Sequence, residues 1–183
     1  ETGFQRTGNR RDFALAPPGT TLCDWVRDAG GQVLAVGKIG DIFSMRGIAS
    51  VVKGSDADLM SYLADAVDAA PDRSLTFANF VEFDALYGHR RDPAGYAGAL
   101  RRFDQGIARV LPKMRAGDIM VITADHGNDP TWPGTDHTRE RVPVLMAGAG
   151  RGELGHVGFV DIAASIATLL GLAERGPGRS FLP

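Results

Sequence analysis

Short strand-like runs and amphipathic stretches alternate along most of this chain. The strand-like runs cover 33–36, 75–83, 119–122 and 143–146, and the short apolar ones among them are typical of strands buried on both faces. Apolar positions at helical spacing predict helices over 21–29, 56–69 and 160–170, and another that begins at Pro93 and stops before Gly117. This alternation predicts an α/β fold with a mostly parallel central sheet and helices on both faces.

Residues 1–19 break this rhythm. They are polar, contain the arginines Arg6, Arg10 and Arg11, and end in Ala-Pro-Pro-Gly, which cannot continue a helix or a central strand. The chain also opens on a glutamate rather than an initiator methionine. We therefore expect 1–19 to be a connector or the end of another domain in a longer protein, and 20–183 to form the α/β core.

Composition narrows the class of protein. A length of 183 residues is about one domain, and 44% hydrophobic and 23% charged residues with a net charge of −2 are typical of a soluble globular chain. This balance supplies no basic field for a nucleic acid, so nucleic-acid binding is not expected. The most apolar stretch, 159–172, is interrupted by Asp161 and Ser165 and is shorter than the ~20 residues of a membrane span, and we find no signal peptide.

The single cysteine bears on the compartment. Cys23 has no partner for an internal disulfide, so the chain does not need an oxidising environment and fits the cytoplasm. We expect its thiol to pack as a small apolar group.

Three of the four histidines follow predicted strands. In open α/β sheets, ligands bind beyond the carboxyl ends of the strands. Asp84 and His89 follow the second strand, Asp125 and His126 follow the third, and His137 lies in the long polar loop after it. Adjacent residues on a strand point to opposite faces. A break in the strand at Gly127 would let the side chains of Asp125 and His126 converge.

Imidazole and carboxylate are ligands of zinc, manganese and similar divalent ions. Five such groups are too many for one tetrahedral site, so a two-metal site is the simplest interpretation. The alternative is that each histidine is an ordinary surface or hydrogen-bonded loop residue. His156 has no carboxylate at ligand spacing, and we interpret it as structural.

Several cations are candidates for binding an anion. Lys38 follows the first strand in a Gly-Lys-Ile-Gly turn that lacks the spacing of a nucleotide-binding loop. The three arginines of the first segment, together with Arg90 and Arg91, carry the forked guanidinium that binds phosphate, although most surface arginines are simply solvated.

Four motifs together resemble one enzyme family. They are Val-Gly-Lys-Ile-Gly-Asp-Ile-Phe at 36–43, Phe-Asp-Ala-Leu-Tyr-Gly-His-Arg-Arg-Asp at 83–92, Thr-Ala-Asp-His-Gly at 123–127 and Gly-Thr-Asp-His-Thr-Arg-Glu at 134–140. In this order they resemble phosphopentomutase, a member of the alkaline phosphatase superfamily, and the likeness extends from about Arg6 to the C-terminal Ser-Phe-Leu. Asp-His-Gly alone marks only the superfamily, whereas the Tyr-Gly-His-Arg-Arg string is specific.

The resemblance implies a function and a site. Phosphopentomutases interconvert ribose 1-phosphate and ribose 5-phosphate, and the 2-deoxy pair, with two Mn²⁺ ions and a phosphothreonine that a bisphosphorylated sugar primes. By motif position, the implied ligands are Asp84, His89 and His137 for one manganese, and Asp125 and His126 for the other. Lys38 is implied to contact the substrate phosphate, as are Arg6, Arg10 or Arg11 from the end of the cap domain.

The sequence also departs from the family. We find no match to its N-terminal strand with a metal-binding aspartate, to its nucleophilic threonine or to most of its cap domain, so the implied alkaline phosphatase-like core is incomplete. Thr123, Thr135 and Thr138 are not at the nucleophile's motif position. A covalent relay needs its acceptor hydroxyl, so we expect no mutase activity from these 183 residues alone.

Two other functions stay open. One is a non-catalytic module that binds a metal or a sugar phosphate. The other is a different enzyme of the superfamily, such as a phosphatase, a sulfatase or the cofactor-independent phosphoglycerate mutase, against which the Tyr-Gly-His-Arg-Arg string argues.

Overall fold

Helices and strands alternate along the described part of the chain, which is residues 14–173 and 176–182 of a computed structural model. The helices are α1 Leu22–Asp28, α2 Ile39–Ile42, α3 Asp56–Ala69, α4 Pro93–Val110 and α5 Phe159–Leu169. The strands are β1 Val33–Val36, β2 Ser50–Val52, β3 Leu75–Ala78, β4 Met120–Thr123 and β5 Val144–Ala147. A π-helix covers Phe83–Gly88, and a 3₁₀ turn covers Leu111–Lys113.

A three-stranded parallel sheet lies at the centre. Its order is β2-β1-β3, with Val36 opposite Val52 on one side and Ala78 on the other. The apolar run of β1 is buried at three of its four positions, as expected for a central strand. Because the strands are parallel, their carboxyl ends meet at one edge, and the predicted α/β class with a parallel sheet is confirmed.

Helices cover both faces of this sheet. Leu75 and Phe77 of β3 pack against a core cluster that contains Cys23 and Val26 of α1 and Ala167 of α5. The neighbouring residue, Ala78, packs instead with residues of α3 and α4. Side chains alternate between the faces of a strand, so the two helix pairs lie on opposite sides.

Strands β4 and β5 differ from the prediction. They pair with each other in antiparallel fashion, Val121 opposite Met146, and no described residue links them by strand pairing to the parallel sheet. The predicted burial on both faces is also wrong, since Leu145 is 59% exposed. The connection between β4 and β5 explains why the two strands are antiparallel. Residues 124–143 contain no helix that would carry the chain back across the sheet to start a parallel strand.

Three local features were not predicted. The short α2 and β2 have too few residues to show a period, and β3 ends at Ala78 although the strand-like pattern continues to Phe83. The chain instead enters the π-helix, where Phe83 packs edge-on against Tyr96 and Phe103 of α4 with ring centroids 5.8 and 5.7 Å apart. Tertiary packing of this ring therefore decides where the strand stops.

The thiol of the single cysteine lies in the core. Cys23 is 1% exposed within the α1 cluster, and burial raises the pKa of its thiol, so it packs as a small apolar group as predicted. None of the helices in the described ranges has the length and apolarity needed to cross a membrane.

A buried ion pair fastens α1 to the loop after α2. Asp24 is only 2% exposed and accepts hydrogen bonds from Thr21 N at 2.8 Å and from Arg46 Nη2 at 2.8 Å. Arg46 Nη1 also donates to the carbonyl of Pro17 at 2.6 Å. The hydrogen bond from Arg46 lowers the pKa of Asp24 to about 2, so the carboxylate is held in its charged form.

Candidate metal centre

The carboxylate of Asp84 contacts two imidazoles. Its Oδ2 is 3.3 Å from His89 Nε2, and its Oδ1 is 3.1 Å from His137 Nε2. One ligand atom from each of the three residues can be chosen so that all lie within 4.8 Å of one another. The donor set of one carboxylate and two ring nitrogens fits a divalent transition ion, and side-chain exposures of 32 to 48% leave the group open to a ligand from solvent.

The π-helix brings Asp84 and His89 together. In this wide helix the hydrogen bonds join residues five apart, and His89 N donates to the carbonyl of Asp84 at 3.0 Å. A carboxylate and an imidazole five residues apart therefore lie over the same side of the turn. Single π-turns are rare in proteins, and many of those that occur are found at functional sites.

The segment before this turn is held by a reciprocal contact with α3. The Asp56 carboxylate accepts from Val81 N at 3.2 Å and from Glu82 N at 3.1 Å, while Asp56 N donates to Glu82 Oε1 at 3.1 Å. Burial raises the pKa of Asp56 to about 6. The N-terminus of α3 thus fixes the chain two residues before Asp84.

A bridge within the long loop delivers His137. Gly127 and Thr138 form an isolated antiparallel bridge, in which Thr138 N donates to the Gly127 carbonyl at 2.9 Å. Asp129 N closes the turn with a 2.8 Å bond to Thr138 Oγ1. Next to this bridge, the rings of His126 and His137 stack with centroids 3.7 Å apart.

The five residues carried over as metal ligands form one continuous series of contacts. Asp125 Oδ2 lies 3.6 Å from His126 Nε2, and His126 then stacks on His137 beside Asp84 and His89. Asp125 is 76% exposed and lies outside the three-residue group. The structure therefore offers one compact donor set and an adjoining Asp-His pair.

Of the cations predicted to contact the substrate phosphate, the structure describes only Lys38. Lys38 is half-buried and caps α2 just beyond β1, at the same edge of the sheet. Arg6, Arg10 and Arg11 lie outside the described residues. His156 is exposed and is not a member of the three-residue group. Its Nδ1 lies 3.3 Å from Arg141 Nη1.

Sequence reasoning missed one buried polar residue at the site. Asn128 is 8% exposed, and its Nδ2 donates to Asp84 Oδ1 at 2.6 Å. The signal for it was its position two residues after His126, since a polar side chain in a turn beside candidate ligands is a natural partner for one of them. Arg91, considered above for phosphate, instead donates to Asn128 Oδ1 at 3.0 Å.

Replacing Gly88 by alanine is expected to displace Asn128. Gly88 is buried, and a methyl group on its Cα would overlap the Asn128 amide, with Cγ only 2.5 Å away. We expect Gly88→Ala to lower the free energy of unfolding by about 1–3 kcal/mol in urea titrations, the usual cost of an added carbon in a packed place. Gly98→Ala on α4, where the nearest atom is Arg102 Nη1 at 3.3 Å, is the control and is expected to be neutral or stabilising by up to about 1 kcal/mol. Equal effects of the two substitutions would contradict this packing.

Comparison with known proteins shows the family of this chain. The profile of the Metalloenzyme superfamily matches residues 31–174. The chain is 54% identical to the phosphopentomutase of Chromohalobacter salexigens over 188 aligned residues, 54% identical to that of Rhizobium johnstonii and 50% identical to that of Shewanella denitrificans. Each match covers 98% of this chain and 45% of the relative, so the chain spans less than half the length of these proteins. The resemblance inferred from the four motifs is confirmed.

Proposed function

The chain belongs to the Metalloenzyme superfamily, and we propose that it is the metal-binding core portion of a phosphopentomutase. The observation that carries this proposal is the Asp84–His89–His137 group, because it places a metal donor set in a chain about half identical to proteins of that name. The isomerase reaction, an intramolecular phosphoryl transfer, belongs to the proposal because the chain covers only 45% of those relatives.

The proposed substrates are ribose 1-phosphate and ribose 5-phosphate, with their 2-deoxy forms, and the proposed cofactor is Mn²⁺. Asp84, His89 and His137 would hold one ion, and Asp125 with His126 would supply ligands to a second. The mixed imidazole and carboxylate chemistry of both groups supports a transition ion. A bisphosphorylated sugar as activator and a cytoplasmic location complete the proposal.

The residues of this chain bind and orient rather than attack. Mn²⁺, when bound, would polarise the oxygens of the transferring phosphoryl group. Asp84 would balance part of the cationic charge and contacts both imidazoles, whose ring centroids are 4.9 Å apart. We propose that Lys38, at the same edge of the sheet, meets the sugar phosphate as a point charge, and that Arg6, Arg10 or Arg11 adds a guanidinium.

The attacking hydroxyl is proposed to come from outside these 183 residues. Thr138 Oγ1 accepts a hydrogen bond from Asp129 N, and Thr123 Oγ1 donates to the Ala124 carbonyl at 3.4 Å, so both serve the backbone here. With Thr135 they remain unassigned as nucleophiles, in line with the resemblance.

Manganese titration and a mutase assay test the proposal together. We expect the 183-residue polypeptide to bind Mn²⁺, seen as loss of the free-ion electron paramagnetic resonance signal, and to show no conversion of ribose 5-phosphate. A longer protein that contains this chain and the remaining part of the relatives' sequence is expected to catalyse the conversion only with Mn²⁺.

The assay also separates the alternatives. Release of inorganic phosphate from ribose 5-phosphate by the longer protein, without formation of ribose 1-phosphate, would overturn the mutase in favour of a phosphatase. Binding of Mn²⁺ with neither reaction in the longer protein would favour the non-catalytic module.

A further inference from the structure

Asn128 presents its amide to Asp84 in one defined orientation. Its Oδ1 accepts a hydrogen bond from Arg91 Nη1 at 3.0 Å, and its Nδ2 donates to Asp84 Oδ1 at 2.6 Å. A guanidinium can only donate, so the amide oxygen must face Arg91 and the amide nitrogen must face the carboxylate. Arg91 thus determines which group Asn128 offers to Asp84.

Arg91 is itself held by four main-chain carbonyls. Nη1 donates to Gly88 O at 3.0 Å and to Asp129 O at 2.7 Å, Nη2 donates to Asp136 O at 2.9 Å, and Nε donates to Gly134 O. Three of these four carbonyls, those of Gly88, Asp129 and Asp136, belong to the direct sequence neighbours of His89, Asn128 and His137. One guanidinium therefore ties together the three chain segments that supply and support the metal donor set.

The backbone of Arg91 agrees with such a role. Its φ is +54°, in the left-handed region that costs a non-glycine residue about 1 kcal/mol or more. Such a conformation persists only where the surroundings impose it, and here the guanidinium has acceptors on every nitrogen. These bonds hold the guanidinium against the protein backbone.

We propose that Arg91 and Asn128 are positioning residues that act on the metal through Asp84. The bond from Asn128 occupies one lone pair of Asp84 Oδ1 and fixes the plane of the carboxylate, so that both oxygens keep their distances to the two imidazoles. Outer partners of this kind typically change metal affinity 10- to 100-fold when removed. The proposal rests on the proposed function in one respect, the binding of a divalent cation by Asp84, His89 and His137.

Manganese affinity of the folded chain is the test. We expect Asn128→Ala to weaken Mn²⁺ binding about tenfold or more, and Arg91→Lys, which keeps the charge but loses the fork, to weaken it several-fold. Because Arg91 acts through Asn128, the double variant is expected to lose less than the product of the two single losses.

Arg90→Lys is the matched control. Arg90 is the exposed neighbour of Arg91 and makes no hydrogen bond or ion pair with any residue in the described ranges. Its substitution is expected to leave Mn²⁺ affinity within about twofold of the wild type. Circular dichroism at the titration temperature establishes that every variant is folded, so that a loss of stability alone is not counted as a loss of affinity.

The outcomes are distinguishable. Wild-type affinity in folded Asn128→Ala would overturn the positioning role. If the wild type binds no Mn²⁺, the proposed metal centre is wrong. The positioning role is then tested by imidazole nuclear magnetic resonance spectra of the metal-free protein at one fixed pH. Shifted ring signals of His89 and His137 in Asn128→Ala, with those of His156 unchanged, would support positioning, and unshifted signals would overturn it.

Discussion

Asp84→Ala is expected to weaken Mn²⁺ binding by more than about 100-fold. The substitution removes the single carboxylate of the three-residue group, which lies 3.1 and 3.3 Å from the two imidazoles and supplies the only negative charge among them. Loss of a direct ligand should exceed the 10- to 100-fold effect of outer partners. Equilibrium titration with the ion gives the ratio of dissociation constants.

Thermal unfolding provides a second measurement of the same change. An ion that binds only the folded state stabilises it, by about 2.7 kcal/mol at a concentration 100 times its dissociation constant. The wild type is therefore expected to melt at a higher temperature with Mn²⁺, whereas Asp84→Ala is not.

Asp104→Ala controls for the loss of one negative charge, since Asp104 lies exposed on α4. We expect this variant to keep the wild-type affinity and the Mn²⁺-dependent melting shift. An Asp84→Ala protein that binds Mn²⁺ within threefold of Asp104→Ala would contradict the assignment of Asp84.

Arg46→Ala is expected to lower the free energy of unfolding by about 3 kcal/mol or more. It leaves the 2%-exposed Asp24 carboxylate without the guanidinium that donates to both of its oxygens, and removing one partner of a buried ion pair is strongly destabilising. Urea unfolding followed by circular dichroism measures the difference.

Arg27→Ala is the matched control, because Arg27 Nη1 also approaches Asp24, at 3.3 Å, from a side chain that is 49% exposed. An exposed pair contributes only about 0–1 kcal/mol, so a small effect is expected. Similar losses for the two arginine variants would show that burial of Asp24 does not govern its interaction with Arg46.

The same pair predicts the acid sensitivity of the fold. The pKa of Asp24 is about 2 in the folded chain against an ordinary value of 3.8, so its contribution is fully present above pH 3.8 and is lost as the pH falls through 2. Arg46→Ala should therefore lose less of its remaining stability between pH 4 and 2 than the wild type does.

Asp56 affects stability over a different pH range. Its pKa is raised from 3.8 to about 6 in the folded chain, so its favourable contribution to stability is present below pH 3.8 and is lost as the pH rises through 6.

Local patterns were enough to place most helices and strands. Helix α3 covers the range 56–69 that its apolar spacing predicted, and β1 coincides with the predicted apolar run 33–36, because both patterns are formed by residues close together in the sequence. The π-helix and the end of β3 were not predictable in this way. They depend on where Phe83 finds the aromatic side chains of α4, which are distant in sequence.

The candidate metal ligands could be predicted from their positions in the sequence. The residues that hold those ligands in place could not. Asp84, His89 and His137 were selected because they follow predicted strands. The first two follow β3 of the parallel sheet, whereas His137 reaches them from the loop after β4, beside the Gly127–Thr138 bridge. The roles of Asn128 and Arg91 depend on which way an amide faces and on a left-handed backbone at one arginine. No periodicity in the chain encodes either feature.

By itself the sequence determined the α/β class, the order of most elements, the buried thiol and the family resemblance, because these follow from short-range periodicity and from motifs a few residues long. Only the tertiary structure decided that β4 and β5 run antiparallel, that His126 stacks on His137 and that Arg91 donates to main-chain carbonyls. Each of these depends on contacts between segments far apart in the chain, whose geometry is set when the whole core packs.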